Sequence, residues 1–277
     1  MPNSIILNSL KQSFALIWKN KLLFVLLFIL QIVFIILFSS LSVVYLTKML
    51  GNAKTISDYI SQLQLDDAAI ASNILQQKSI LGDDPLTISR NLDAIIRNFR
   101  LYLFYTFILL VFSVSAFWAI TIRLIHQYNF KHLIDIFKRN FVILILYLGL
   151  IFWFFSLIAD ISFIGSTVKS ELMTKFLPFL IFSLILLYFM FISLSLSHNI
   201  NLRNIFQETL RIGIKKIHYV VGVYFINLIF FLLPLTLLAY FIERNAVILF
   251  LSLILIIFSF IFGKIFMINV VQKLENL

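Results

Sequence analysis

"SFALIWKNKLLF" (Ser13–Phe24) changes character halfway along. Its first half is apolar on one side of a helix; Lys19, Asn20 and Lys21 interrupt it, and the run that follows is apolar on every side as far as Leu46. A one-sided apolar stripe belongs at a boundary with water, whereas a helix apolar all round sits in hydrocarbon or in a buried core. The Lys-Asn-Lys cluster therefore reads as the point where the chain leaves a membrane surface and enters the bilayer.

The whole chain supports a membrane setting. Of 277 residues, 62% are hydrophobic and only 12% charged, with 32 phenylalanines and a mean hydropathy of +1.05. Soluble domains carry about 45–50% apolar and about 25% charged residues, too few charges here to cover so much apolar surface. There is no cysteine, which excludes disulfides, thiolate metal sites and cysteine nucleophiles. The first apolar run is too long for a signal-peptide core and no small-residue cleavage site follows it, so it is expected to be retained as a transmembrane helix.

Six runs reach the ~20 residues that cross a hydrocarbon core of about 30 Å. They lie at Leu22–Leu46, Leu101–Ile125, Phe141–Ile164, Phe176–Ser197, Tyr219–Ile242 and Val247–Val271. Backbone amides in lipid must be satisfied within the segment, so these are helices. The expectation is an all-α polytopic membrane protein forming a single membrane domain over residues 1–277. One side of the six-span layout receives thirteen basic residues: Lys11, Lys19, Lys21, Arg123, Lys131, Lys138, Arg139, Arg203, Arg211, Lys215, Lys216, Lys264 and Lys273. Asp135, Glu208 and Glu275 are its only acids, so the entire net charge of +10 falls there. The positive-inside rule makes that side cytoplasmic, with both termini on it, and localises the chain to a cell membrane. Such a face is matched to anionic lipid head groups or a cytoplasmic protein partner rather than to nucleic acid.

The opening pattern recurs. Ile6, Leu10, Phe14 and Ile17 form an apolar stripe before the first span. "NFKHLIDIFKRNF" (129–141) repeats it with Phe130, Leu133, Ile134, Phe137 and Phe141, and "NLRNIFQETLRIGIKKIHY" (201–219) with Leu202, Phe206, Leu210, Ile214 and Ile217. Each stretch ends in a basic or amide-bearing cluster: Lys19-Asn20-Lys21, Lys138-Arg139-Asn140, Lys215-Lys216. The chain thus reads as three hairpins, each preceded by a cytoplasmic interfacial amphipathic helix: helix 1–21 with hairpin 22–125, unit 126–197 and unit 198–277. Either the units share an origin, or basic amphipathic segments simply suit loops beside anionic lipid. The 47–100 stretch is expected to be an extracytoplasmic helical loop. In it Ile56, Ile60, Leu63, Ile70 and Ile74 share one face, Gly82 and Pro85 mark a break, and Leu92, Ile96, Phe99 and Leu103 run into the second span.

Polar groups inside spans are the candidates for function, since they are costly in lipid. Gln31 and Asn227 fall at similar depth, either bonded across the bundle or lining a polar path. Lys264 is expected to snorkel to the basic surface, with Asp160 near the opposite one. Pro234 is expected to kink the fifth span, and Gly222 to allow close packing. His126, His132, His198 and His218 lie near the basic surface without the spacing of a helical metal pair. No phosphate loop, nucleophile elbow or same-depth carboxylate pair occurs, so neither catalytic, cofactor nor metal residues are expected, and the chain reads as no enzyme. The basic residues expected to face lipid or a partner are Lys19, Lys21, Lys138, Arg139, Lys215 and Lys216.

With the "F-x-L-I-W-K-N-K" motif of Phe14–Lys21, this three-unit layout resembles a broad group of uncharacterised six-helix membrane proteins. That group is similar to the membrane domain attached to some glycerophosphodiester phosphodiesterases. The resemblance implies membrane placement and fold but not hydrolysis, since the carboxylate and histidine sites of the phosphodiesterase domain have no counterpart here. The expected role is a non-enzymatic membrane subunit that organises partners or lipids. The alternative is a transporter or permease component in which 129–140 or 203–216 couples to a separate ATPase.

Overall fold

The computed structural model describes the backbone of residues 2–62, 86–165, 169–198, 201–241 and 245–276, and the side chains of all these except 2–4, 62, 157–165 and 169–176. The described residues form eight helices: α1 Pro2–Lys19, α2 Lys21–Gln62, α3 Leu86–His126, α4 Phe130–Gly165, α5 Lys169–Ser195, α6 Leu202–Lys215, α7 Ile217–Phe241 and α8 Ala246–Glu275. Six of them, α2 to α5, α7 and α8, are long and apolar enough to cross a membrane. Large apolar side chains point outward along them, with Leu22 88% and Phe225 63% exposed. Surface of that kind is stable against acyl chains and not against water. The protein is an all-α polytopic membrane protein.

The chain divides into two compact units, one of Met1–Val33 with Leu110–Leu277, the other of Phe34–Leu109. In the first, α8 is the central post. From Ile261 to Leu274 most residues are buried, and α1, α5, α6 and α7 all pack on it. Leu27 of α2 and Leu124 of α3 join Ile257, Ile261 and Ile265 in one apolar cluster. In the second unit, Ser42 Oγ and Tyr102 OH are 3.1 Å apart, and the Tyr45 ring leans on Tyr102 and Tyr105.

The three helix entries share a register. In α1 the inward residues are Ser9, Ser13 and, in part, Leu16, followed by Asn20; in α6 they are Ile205, Thr209 and Ile212, followed by Lys216. The α4 equivalents are Leu133, Ile136 and Asn140. Each closing residue donates to a carbonyl on a different helix: Asn20 Nδ2 to Leu124 O at 3.0 Å, Asn140 Nδ2 to Ser115 O at 3.4 Å, and Lys216 Nζ to Leu274 O at 2.8 Å. Two of these acceptors lie in the last turns of α3 and α8, where carbonyls lack intrahelical donors.

Several expectations change. The 129–141 segment is helical but not a separate helix: α4 runs unbroken through Asn140, since Lys138-Arg139-Asn140 contains no residue that stops a helix. The other entry helices have three faces rather than two. In α6 the apolar stripe of Leu210 and Ile214 is exposed, and a separate, partly polar face packs inward. In α1 the stripe is shared, Phe14 meeting the Phe262 ring at 4.5 Å while Ser13 accepts from Asn269 Nδ2 at 2.8 Å. In the 47–100 stretch the expectation of helix holds at both ends: α2 continues to Gln62, and α3 starts at Leu86 and carries Leu92, Ile96, Phe99 and Leu103 into the second span. At 42 residues α2 is about 63 Å long, twice a hydrocarbon core. The break at Gly82 and Pro85, and the face of Leu63, Ile70 and Ile74, lie outside the described residues.

Candidate functional site

Polar groups from two helices meet on two consecutive residues of α8. Gln31 on α2, 9% exposed, accepts at Oε1 from Lys264 Nζ at 3.4 Å. Asn227 on α7 donates from Nδ2 to Gly263 O at 3.2 Å. The helices approach this closely because residue 263 has no side chain: a Cβ there would stand 3.3 Å from the Asn227 amide. Lys264 Nζ also lies 4.6 Å above the centre of the Phe117 ring, a cation–π placement.

Gln31 and Asn227 therefore do not bond to each other; each bonds to α8, Gln31 through Lys264 and Asn227 through Gly263. Lys264 does not snorkel. It lies eleven residues before the end of α8, about 16 Å along the axis, and its amine is engaged by Gln31 Oε1 and the Phe117 ring. The side chain of Asp160 lies outside the described residues. Asn227 Oδ1 is buried without a hydrogen-bond partner among the described residues.

A second network closes the end of the bundle where α8 terminates. His126 Nε2 is 3.1 Å from Gln272 Oε1, Gln272 Nε2 is 3.3 Å from His198 Nδ1, and His198 Nε2 is 3.4 Å from Glu275 Oε2. The His126 and His198 rings stack at 5.5 Å, and His126 continues onto Tyr128 and His132. Donors and acceptors agree throughout when His126 and His198 each carry the proton on Nε2 and the Gln272 amide donates to His198. Arg211 pairs with Glu208 at 2.6 Å and donates to Glu275 O at 2.9 Å. These histidines are tied into the helix ends rather than simply solvated. No local spacing announced the network, because its members are far apart in sequence. Among the described residues no group of three His, Cys, Asp or Glu could hold a metal ion.

The basic residues split by environment. Lys19, Lys21, Lys138 and Lys215 are exposed, Lys21 standing 4.3 Å above the Trp18 ring. Arg139 is half-buried, with Nε and one terminal nitrogen shielded from solvent. Lys216 is turned inward onto α8, so it caps a helix rather than presenting charge. No family model, curated protein or solved structure matches the chain.

Proposed function

We propose that the protein is a non-enzymatic, multi-pass subunit of a cell membrane, with both termini cytoplasmic, whose basic face organises anionic lipids or a protein partner. The observation that carries this reading is the charge partition, which puts all of the net +10 except Lys264, held on Gln31, on one side of the six-span layout. The exposure of Lys19, Lys21, Lys138 and Lys215 supports it, since these residues are available to phosphate groups or acidic side chains. The shared register of the three helix entries favours repeated units built around one surface. The membrane-domain resemblance of Phe14–Lys21 accords with such a role.

The absence of cysteine allows a direct test of orientation. With Asn276→Cys and Ser57→Cys introduced separately, a membrane-impermeant maleimide added to intact cells is expected to label only the Ser57 variant. Labelling of the Asn276 variant from outside overturns the topology. The polar cluster on Gly263 and Lys264 favours a second reading, a permease component served by a separate ATPase. Co-purification of an ATPase, abolished by Lys138→Glu with Lys215→Glu, would replace the first reading with the second.

A further inference from the structure

An apolar groove of about 450 Å³ opens on the outer side of the bundle where α5, α6 and α7 converge. Ile181, Ile185 and Phe189 form one wall along α5, and Ile217 and Val221 of α7 form the other. Its floor is Gly213, where an added Cβ would come within 2.6 Å of the Phe189 ring. The Tyr188 hydroxyl, the polar group on the wall, donates to Gly213 O at 2.9 Å. What remains open to a guest is almost entirely carbon. From Phe189 to Ile181 the wall runs about 12 Å along α5.

At the α6–α7 junction Lys215 follows directly on Ile214, a lining residue of the groove. Lys216 donates to Leu274 O and Arg211 is held by Glu208 and Glu275, but Lys215 is exposed and makes no side-chain hydrogen bond or ion pair among the described residues. We infer that this groove is the seat of one anionic glycerophospholipid, with an acyl chain along α5 and its phosphate at Lys215. The occupant follows from the surroundings: an outward groove in a span is bathed in acyl chains, and an exposed cation next in sequence to its lining selects negative head groups. A soluble phosphate would have no use for the apolar wall. The inference deepens the proposed lipid-organising role and rests on the α6–α7 junction lying at the membrane surface.

The test uses the full chain, extracted in mild detergent from vesicles holding equal phosphatidylglycerol and phosphatidylcholine, with retained lipid counted by native mass spectrometry. The wild type is expected to keep one phosphatidylglycerol in preference to phosphatidylcholine. Lys215→Gln should lower that preference about fivefold, the value of one lysine near an anionic surface. Ile185→Trp, at an outward position, should fill the groove and abolish retention of either lipid, with Val221→Phe as a second blocking variant and thermal unfolding as the check on folding. Unchanged retention in a folded blocking variant overturns the proposal, as does equal retention of both lipids by the wild type. A dimer lost on blocking, with no lipid lost, assigns the groove to a second copy instead. Maleimide labelling reports the face and lipid retention reports the groove, so either reading can fail while the other stands.

Discussion

Pro234 sits in the interior of α7, which remains helical from Ile217 to Phe241. Having no N–H, it leaves the carbonyl of Phe230, four residues earlier, without its usual donor. Ser259 on α8 supplies one, its Oγ lying 2.9 Å from Phe230 O and 2.8 Å from Leu255 O. In lipid no water can take that place. Ser259→Ala is expected to destabilise the protein by about 1 kcal/mol, the scale of a hydrogen bond between membrane helices. With Pro234→Ala already present the loss should nearly vanish, because that substitution returns the backbone N–H; a double-mutant cycle of thermal unfolding in detergent measures the coupling. Gln31 and Lys264 form a similar pair. Gln31→Leu strands the amine and should cost about 1–3 kcal/mol, while adding Lys264→Met removes both partners and should recover most of the loss. Equal unfolding temperatures for the single and double variants would show that the 3.4 Å contact carries nothing.

At the scale of elements, the helix entries explain the alternation of basic and apolar residues that opens the sequence. An entry helix presents three faces: an exposed polar one, an exposed apolar one and one packed against protein. In α6, Arg203, Gln207 and Lys215 form an exposed polar face, Leu210 and Ile214 an exposed apolar one, and Ile205, Thr209 and Ile212 pack inward. The basic cluster that follows also divides its labour. Lys215 is exposed, whereas Lys216 reaches the last turn of α8 at 2.8 Å. Lys216→Ala is therefore expected to lower the thermal midpoint, at about 1 kcal/mol for a lost helix-end bond, and Lys215→Ala to leave it within error. The opposite order would mean that the cap is not formed in the membrane. The turn between α3 and α4 is closed differently. Gln127 adopts φ 55 and its N–H returns to Arg123 O at 2.7 Å, a left-handed cap of the kind usually given to glycine.

For the whole molecule, α8 is the element on which α1, α5, α6 and α7 of the first unit pack. It receives bonds from Asn227 on its flank and from Lys216 and Arg211 at its end, and it sends Ser259 to α7 and Asn269 to Ser13 of α1. Burying one face of every neighbouring helix on a single post leaves the opposite faces to lipid, which is why so many large apolar residues lie outside. The orientation and lipid experiments above belong to this scale, because charge partition and an outward groove are properties of the assembled surface.

The sequence by itself determined the membrane class, the six apolar helices and the positions of the helix entries. Those follow from local quantities, run length, periodicity and charge, which need no knowledge of neighbours. It also singled out Gln31 and Asn227 as costly in lipid, but not what they bind. Only the tertiary structure decided that both turn to α8, that Lys264 stays inside, that Lys216 caps while Lys215 faces out, and that His126, His198, Gln272 and Glu275 form one chain. The physical reason is that a polar group in hydrocarbon must find a partner, and sequence spacing along one helix does not say which face of another helix will bring it.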